Sequence, residues 1–133
     1  MKNLGYMKRF DPKWPGAKEL SEMVVGDKPD ENLRNAIINY LSAGNFLFGW
    51  MSFLREEDGT PIGNNDYFTD GVYVWPLYYI YYLRKFDNLQ IDTDFIDHVK
   101  NNNYVVPTLL KEELVSLERH YDSMSRQFNH KTG

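Results

Sequence analysis

The chain has 133 residues, a net charge of −4 and no cysteine, which fits one domain over residues 1–133 and excludes disulfides, thiolate nucleophiles and cysteine-ligated zinc. No long basic stripe is present to neutralise phosphates, which argues against nucleic acid as a partner, and no run approaches the roughly 20 apolar residues of a membrane-spanning helix. Aromatic residues, at 16 %, are unusually frequent, so the core is expected to be aromatic-rich.

The start, Met1-Lys-Asn-Leu-Gly-Tyr6, lacks the apolar run and small-residue cleavage site of a signal peptide, and a cytoplasmic location is the expectation. Residues 15–25 place Ala17, Leu20, Met23 and Val24 at helical spacing, with Pro15 in the first turn and Gly26 as the stop. Asp27-Lys-Pro-Asp30 then predicts a second helix start with an Asp cap. Leu33, Ile37, Tyr40 and Leu41 form its apolar stripe, and Gly44 ends it.

From Asn45 the period changes to two. Phe46, Phe48 and Trp50 fall on one side of an extended strand and Leu47, Met51 and Phe53 on the other, the pattern of a strand covered on both faces. Glu56-Glu-Asp-Gly59 closes it with a turn, and Pro61, Gly63, Asn64 and Asn65 read as more loop. Asp70-Gly71, flanked by Tyr67-Phe-Thr69 and Val72-Tyr-Val-Trp75, predicts a hairpin with a tight primed turn. Pro76 suits the first turn of a helix over Leu77–Phe86.

Asp92-Thr-Asp-Phe-Ile-Asp-His-Val99 predicts a capped helix stopped by Asn101-Asn-Asn103. Val105 and Val106 precede Pro107 and should be extended. Leu110, Leu114, Leu117, Tyr121, Met124 and Phe128 then repeat at heptad spacing on one long helix. Over so few heptads the seam is expected to pack across its own domain and leave a monomer, with dimerisation through this helix as the alternative. The fold class is therefore α+β, a three-stranded antiparallel meander near residues 46–76 packed with about five helices, the last the longest.

Few residues arrange themselves for chemistry. His98, His120 and His130 lie far apart and outside any metal-ligand pattern such as H-E-x-x-H, so neither metal nor cofactor is expected. Asp94 and His98 share a helical face at i, i+4, the spacing of a surface hydrogen bond. Asp66 and Asp70, with Glu56 and Glu57, are the candidate carboxylate pairs for acid–base work. Asp70 is already explained as a turn residue. No serine sits in a G-x-S-x-G elbow.

The stretch 77–86 shows no polar stripe before Arg84 and Lys85, and a helix apolar all round must be covered by its own fold or by a partner. Rings with polar tips suit both cores and binding sites. The binding surface to look for is a groove between meander and helix lined by Trp50, Tyr73, Trp75, Tyr78 and Tyr82, with Asp66 and Asp70 at its rim.

Thr69-Asp-Gly-Val-Tyr-Val-Trp-Pro76, Tyr81-Tyr82, and Phe95 with His98 resemble a group of small uncharacterised bacterial proteins that carry a T-D-G-x-W-x-W-P segment, a Y-Y helix and a later F-x-x-H. Tyr73 stands where that motif has its first tryptophan. The resemblance implies an architecture and no reaction. Acidic loops beside aromatic residues lead to the functional expectation of a non-enzymatic protein-interaction domain, of immunity type, for a basic protein partner. The alternative is a small-ligand module that stacks a sugar or nucleobase in the aromatic groove.

Overall fold

A computed structural model of the chain describes residues 1–25 and 27–130, with side-chain surroundings as far as residue 124. Gly26 and the side chain of Phe128, expected as a helix stop and as the end of the seam, lie outside them. The chain runs β1 (Lys2–Asn3), α1 (Leu20–Met23), α2 (Glu31–Ser42), β2 (Asn45–Arg55), β3 (Pro61–Thr69), β4 (Tyr73–Pro76), α3 (Leu77–Lys85), α4 (Thr93–Asn101) and α5 (Lys111–His130). The fold is α+β with the long helix last, as expected.

The sheet has one strand more than the meander read from sequence. Its order is β1-β4-β3-β2, with β2, β3 and β4 antiparallel and β1 parallel to β4. β1 is held by Lys2 N donating to Val72 O (2.9 Å) and Leu4 N to Val74 O (2.8 Å). A two-residue strand paired some 70 positions away leaves no local periodicity to read.

The sheet separates two apolar clusters, because side chains alternate along each strand. On β4, Tyr73 and Trp75 enter a large cluster with Ile37, Leu41, Tyr79, Leu83, Phe95 and Val99 of α2, α3 and α4. Val74 enters a smaller one with Tyr6, Leu47, Tyr67 and Tyr121, against which Leu114 and Leu117 of α5 pack. The heptad seam thus packs across its own domain at those three α5 positions. Leu110 precedes the helix and is exposed.

The expected helix over 15–25 shrinks to one turn. Lys18 is drawn into extended backbone, donating to Tyr6 O (3.0 Å) and accepting from Lys8 N (2.9 Å), and Gly16 sits at φ +81°. Helix begins only after Glu19, so Ala17 joins one cluster and Met23 the other. In α2 the cap is Asp30, whose carboxylate accepts from Leu33 N (3.0 Å), and not Asp27. Gly44 allows a close approach: a Cβ there would lie 2.5 Å from the Trp75 ring, whose Nε1 donates to Leu41 O (3.1 Å).

Residues 61–65 are strand and not loop. Gly63 at φ +145° would drive a Cβ to 2.7 Å from Leu77, so glycine is required there while its neighbours pair with β2. β2 in turn is the outer strand, covered on neither side as fully as its pattern suggested. Leu47 is its one buried residue. Its ladder with β3 is interrupted between Phe46 and Phe48, between Trp50 and Phe53, and between Leu54 and Arg55. An extra residue in a strand bends it and re-aims side chains, which is why strict alternation fails here.

The β3–β4 connection is wider than a two-residue primed turn. Thr69 pairs with Val74, Gly71 has φ +98° while Asp70 stays outside the left-handed region, and Asp70 Oδ1 accepts from Val72 N (2.9 Å) and Tyr73 N (2.8 Å). The aspartate side chain closes the loop from inside.

Candidate functional site

The sheet–helix junction is filled. Trp75 is 0 % exposed, and Tyr73, Tyr78 and Tyr82 are buried with it. The apolar part of helix α3 is wrapped by its own fold: Tyr78, Tyr79, Ile80, Tyr82 and Leu83 are buried, and Leu77 and Tyr81 are partly open. A cleft of about 270 Å³ does lie between β3 and α3, but its walls are Ile62, Phe68, Leu77, Ile80 and Tyr81 with their neighbours, and none of Tyr73, Trp75, Tyr78 or Tyr82 lines it. Trp50 does not join them, because it lies out on β2, 49 % exposed.

Asp70 lies beneath its loop at 3 % exposure. Its Oδ2 accepts from Tyr40 OH on α2 (2.7 Å) and from His98 Nε2 on α4 (2.7 Å), while Oδ1 takes the two loop amides described above. Asn102 Nδ2 donates to Tyr40 OH (3.0 Å). Burial, then the bond to Asp70, pushes the Tyr40 phenol up. His98 therefore serves Asp70 and not Asp94, one turn before it on its own helix. The neighbouring Thr69 Oγ1 donates to Tyr73 O (2.7 Å) and accepts from Gly71 N (3.0 Å). The network ties a loop and two helices together and offers no nucleophile.

A second carboxylate, half-buried, joins the two clusters. Asp11 accepts from Tyr67 OH (2.8 and 2.7 Å to its two oxygens) and from Tyr78 OH (2.6 Å), and Tyr78 OH accepts from Met7 N (2.9 Å). Tyr6 and Tyr121 hydroxyls bond to each other nearby. Burial raises the Asp11 carboxyl above its ordinary range, against the pull of the two tyrosine hydrogen bonds.

The expected acidic loop is partly neutralised from within. Glu56 holds Lys85 (2.7 Å) and accepts from Tyr81 OH (2.7 Å), which lowers its carboxyl, the lysine contact contributing most. Asp58 Oδ1 accepts from Thr60 N (3.0 Å). Asp66 is half-buried, its Oδ1 at 2.4 Å from where a Cβ on Gly49 would stand.

The exposed large apolar side chains gather most densely on the outer strand. Phe46 (55 %), Trp50 (49 %), Phe53 (51 %) and Met51, which is fully exposed, stand around β2. Between this strand and α5 lies a cleft of about 320 Å³ whose walls include Phe48, Trp50, Val115, Glu118, Tyr121 and Asp122. Phe48 sits edge-on to Trp50 (5.9 Å) and against Tyr121 (4.7 Å). The stripe 114, 117, 121 of α5 faces the core, and the neighbouring stripe 115, 118, 122 faces the cleft.

Sequence reading placed Trp50 correctly on a strand but missed Phe46, Met51 and Phe53 as surface and Glu118 and Asp122 as its neighbours. No local signal marked them, because residues 61–65, which pair with β2 and leave it outermost, read as loop. Among the described residues, no helix is long and apolar enough to cross a membrane, and no group of three or more acidic or histidine side chains could hold a metal ion. Comparison with protein-family models, with curated proteins and with solved structures finds no match in any of the three.

Proposed function

We propose that the protein is a non-enzymatic interaction domain that binds a basic partner protein through the outer face of β2 and the adjoining α5 cleft. The observation that carries this reading is the group of large apolar side chains left in water on one strand, Phe46, Trp50, Met51 and Phe53, beside a cleft lined by two acidic residues and one basic. Exposed aromatic residues in such a setting act as anchors, and acidic surroundings speed encounter with a cationic partner. An immunity-type role, in which a small acidic protein blocks a basic toxin, is the finer form of this reading.

Affinity capture at low salt from the native host, with wild type and the Trp50→Ala and Phe53→Ser variants in parallel, tests it. One partner should be held by wild type, lost by both variants and released by raised salt. Recovery of no partner, or equal recovery by all three proteins, contradicts it.

A second reading is favoured by one observation: the cleft volume of about 320 Å³ falls at the lower end of the range for small-molecule sites, roughly 300–1,000 Å³. A sugar or nucleobase would then stack on Trp50. A metabolite panel that shifts neither tryptophan emission nor melting temperature removes that reading.

A further inference from the structure

Three arrangements could cover the outer strand, and the geometry disfavours two. An added strand would extend the ladder, but β2 is broken by three register shifts within eleven residues, the device by which edge strands resist further pairing. A second copy would pair a net −4 molecule with itself and set the acidic cleft rims of both copies against a shared interface. Anchoring by a cationic side chain of a different protein meets neither obstacle.

We propose that the cleft between β2 and α5 receives one arginine side chain of the basic partner, its guanidinium lying on the Trp50 ring and its N–H groups directed at the Glu118 carboxylate. This rests on the interaction reading above and names the partner's chemistry. Trp50 packs T-shaped with Phe48 (5.9 Å) and is still 49 % exposed, so much of its indole stays open to a partner. Val115 and Phe48 supply apolar wall for the aliphatic stem. Glu118 is exposed and forms no ion pair among the described residues, with Arg119 beside it included. Guanidinium is planar and forked, so it stacks on indole while bonding a carboxylate, which an ammonium does less well.

The probe is an amidated seven-residue peptide with one central arginine, compared with its citrulline counterpart and followed by the indole N–H signals of the full chain in a proton–nitrogen correlation spectrum. The Trp50 signal should shift with the arginine peptide, and affinity should fall roughly tenfold or more with citrulline or in Glu118→Gln, the loss of one charge-assisted hydrogen bond. Both Glu118 and Trp50 are surface residues, so the variants fold, and an unchanged melting temperature verifies this. Equal affinity for the citrulline peptide, or no Trp50 shift at about 10 mM peptide, a concentration that reports Kd values near the weak limit of −4 kcal/mol or so, overturns the arginine anchor. A partner that is captured by wild type and lost in Trp50→Ala, alongside a silent peptide, would leave the interaction surface standing and remove only the anchor.

Discussion

Asp70 shows how much one buried carboxylate organises. Its buried oxygens are satisfied because α2, α4 and its own loop all bond to it, and an unfilled buried acceptor costs as much as a hydrogen bond is worth, or more. Tyr40→Phe removes one donor and should cost about 1–3 kcal/mol, measured by urea unfolding. A loss below about 0.5 kcal/mol, the scatter of neutral surface changes, would mean that water or His98 replaces the hydroxyl. The D-G pair marked Asp70 as a loop residue in the sequence. Its partners Tyr40 and His98 could not be found there, because they lie 28 or more positions away and only the packing of two helices against the loop brings them together.

Two other carboxylates titrate with opposite sign. Asp11 is raised in the fold by burial, so the folded state takes up its proton first, and this group's contribution to stability grows as pH falls from neutral towards the unfolded value of about 3.9. Glu56 is lowered by Lys85 and Tyr81. Its contribution is complete above the unfolded value of about 4.3 and disappears as pH falls through the lower folded value. Melting temperatures measured from pH 7 to 3 should therefore show wild type gaining on Asp11→Asn and losing ground to Glu56→Gln as acid is added. The reverse order would contradict the two environments.

At the scale of elements, β2 separates what stabilises from what remains available. Met51→Ser and Phe53→Ser touch exposed side chains and should change unfolding free energy by no more than about 0.5 kcal/mol, while reducing partner capture. Gly44→Ala, a single methyl group against Trp75 and Phe68, should cost about 1–3 kcal/mol by overpacking. A reversal of this ranking in urea titrations would place the core on the wrong side of the strand. The apolar pattern of residues 46–53 was legible as a strand. Its position at the edge was not, because the pairing strand begins with Pro, Gly and Asn residues that ordinarily mark a loop, and because the register shifts undo the alternation from which burial is read.

For the whole molecule, helix 77–85 follows from the proline that precedes it, and helix 93–101 from its Asp92 cap and 3.6-residue spacing, because these are local signals. The division into two clusters does not follow, since it depends on β1 returning beside β4 and on Asp11 reaching Tyr67 and Tyr78 across the sheet edge. Those contacts convert the tyrosine-rich junction, which looked like a binding groove, into the interior. They leave the outer strand and the α5 cleft as the described surface on which exposed aromatic side chains cluster.

Hydroxyl-radical footprinting of the free protein, read by mass spectrometry at single residues, tests this division most directly. Rapid modification of Met51 and Trp50, with Trp75, Tyr78 and Tyr82 protected until the chain unfolds, is the predicted outcome. Labelling of Trp75 and Tyr78 at rates comparable to Trp50 would mean that the junction is open and that the functional surface has been assigned to the wrong side of the sheet.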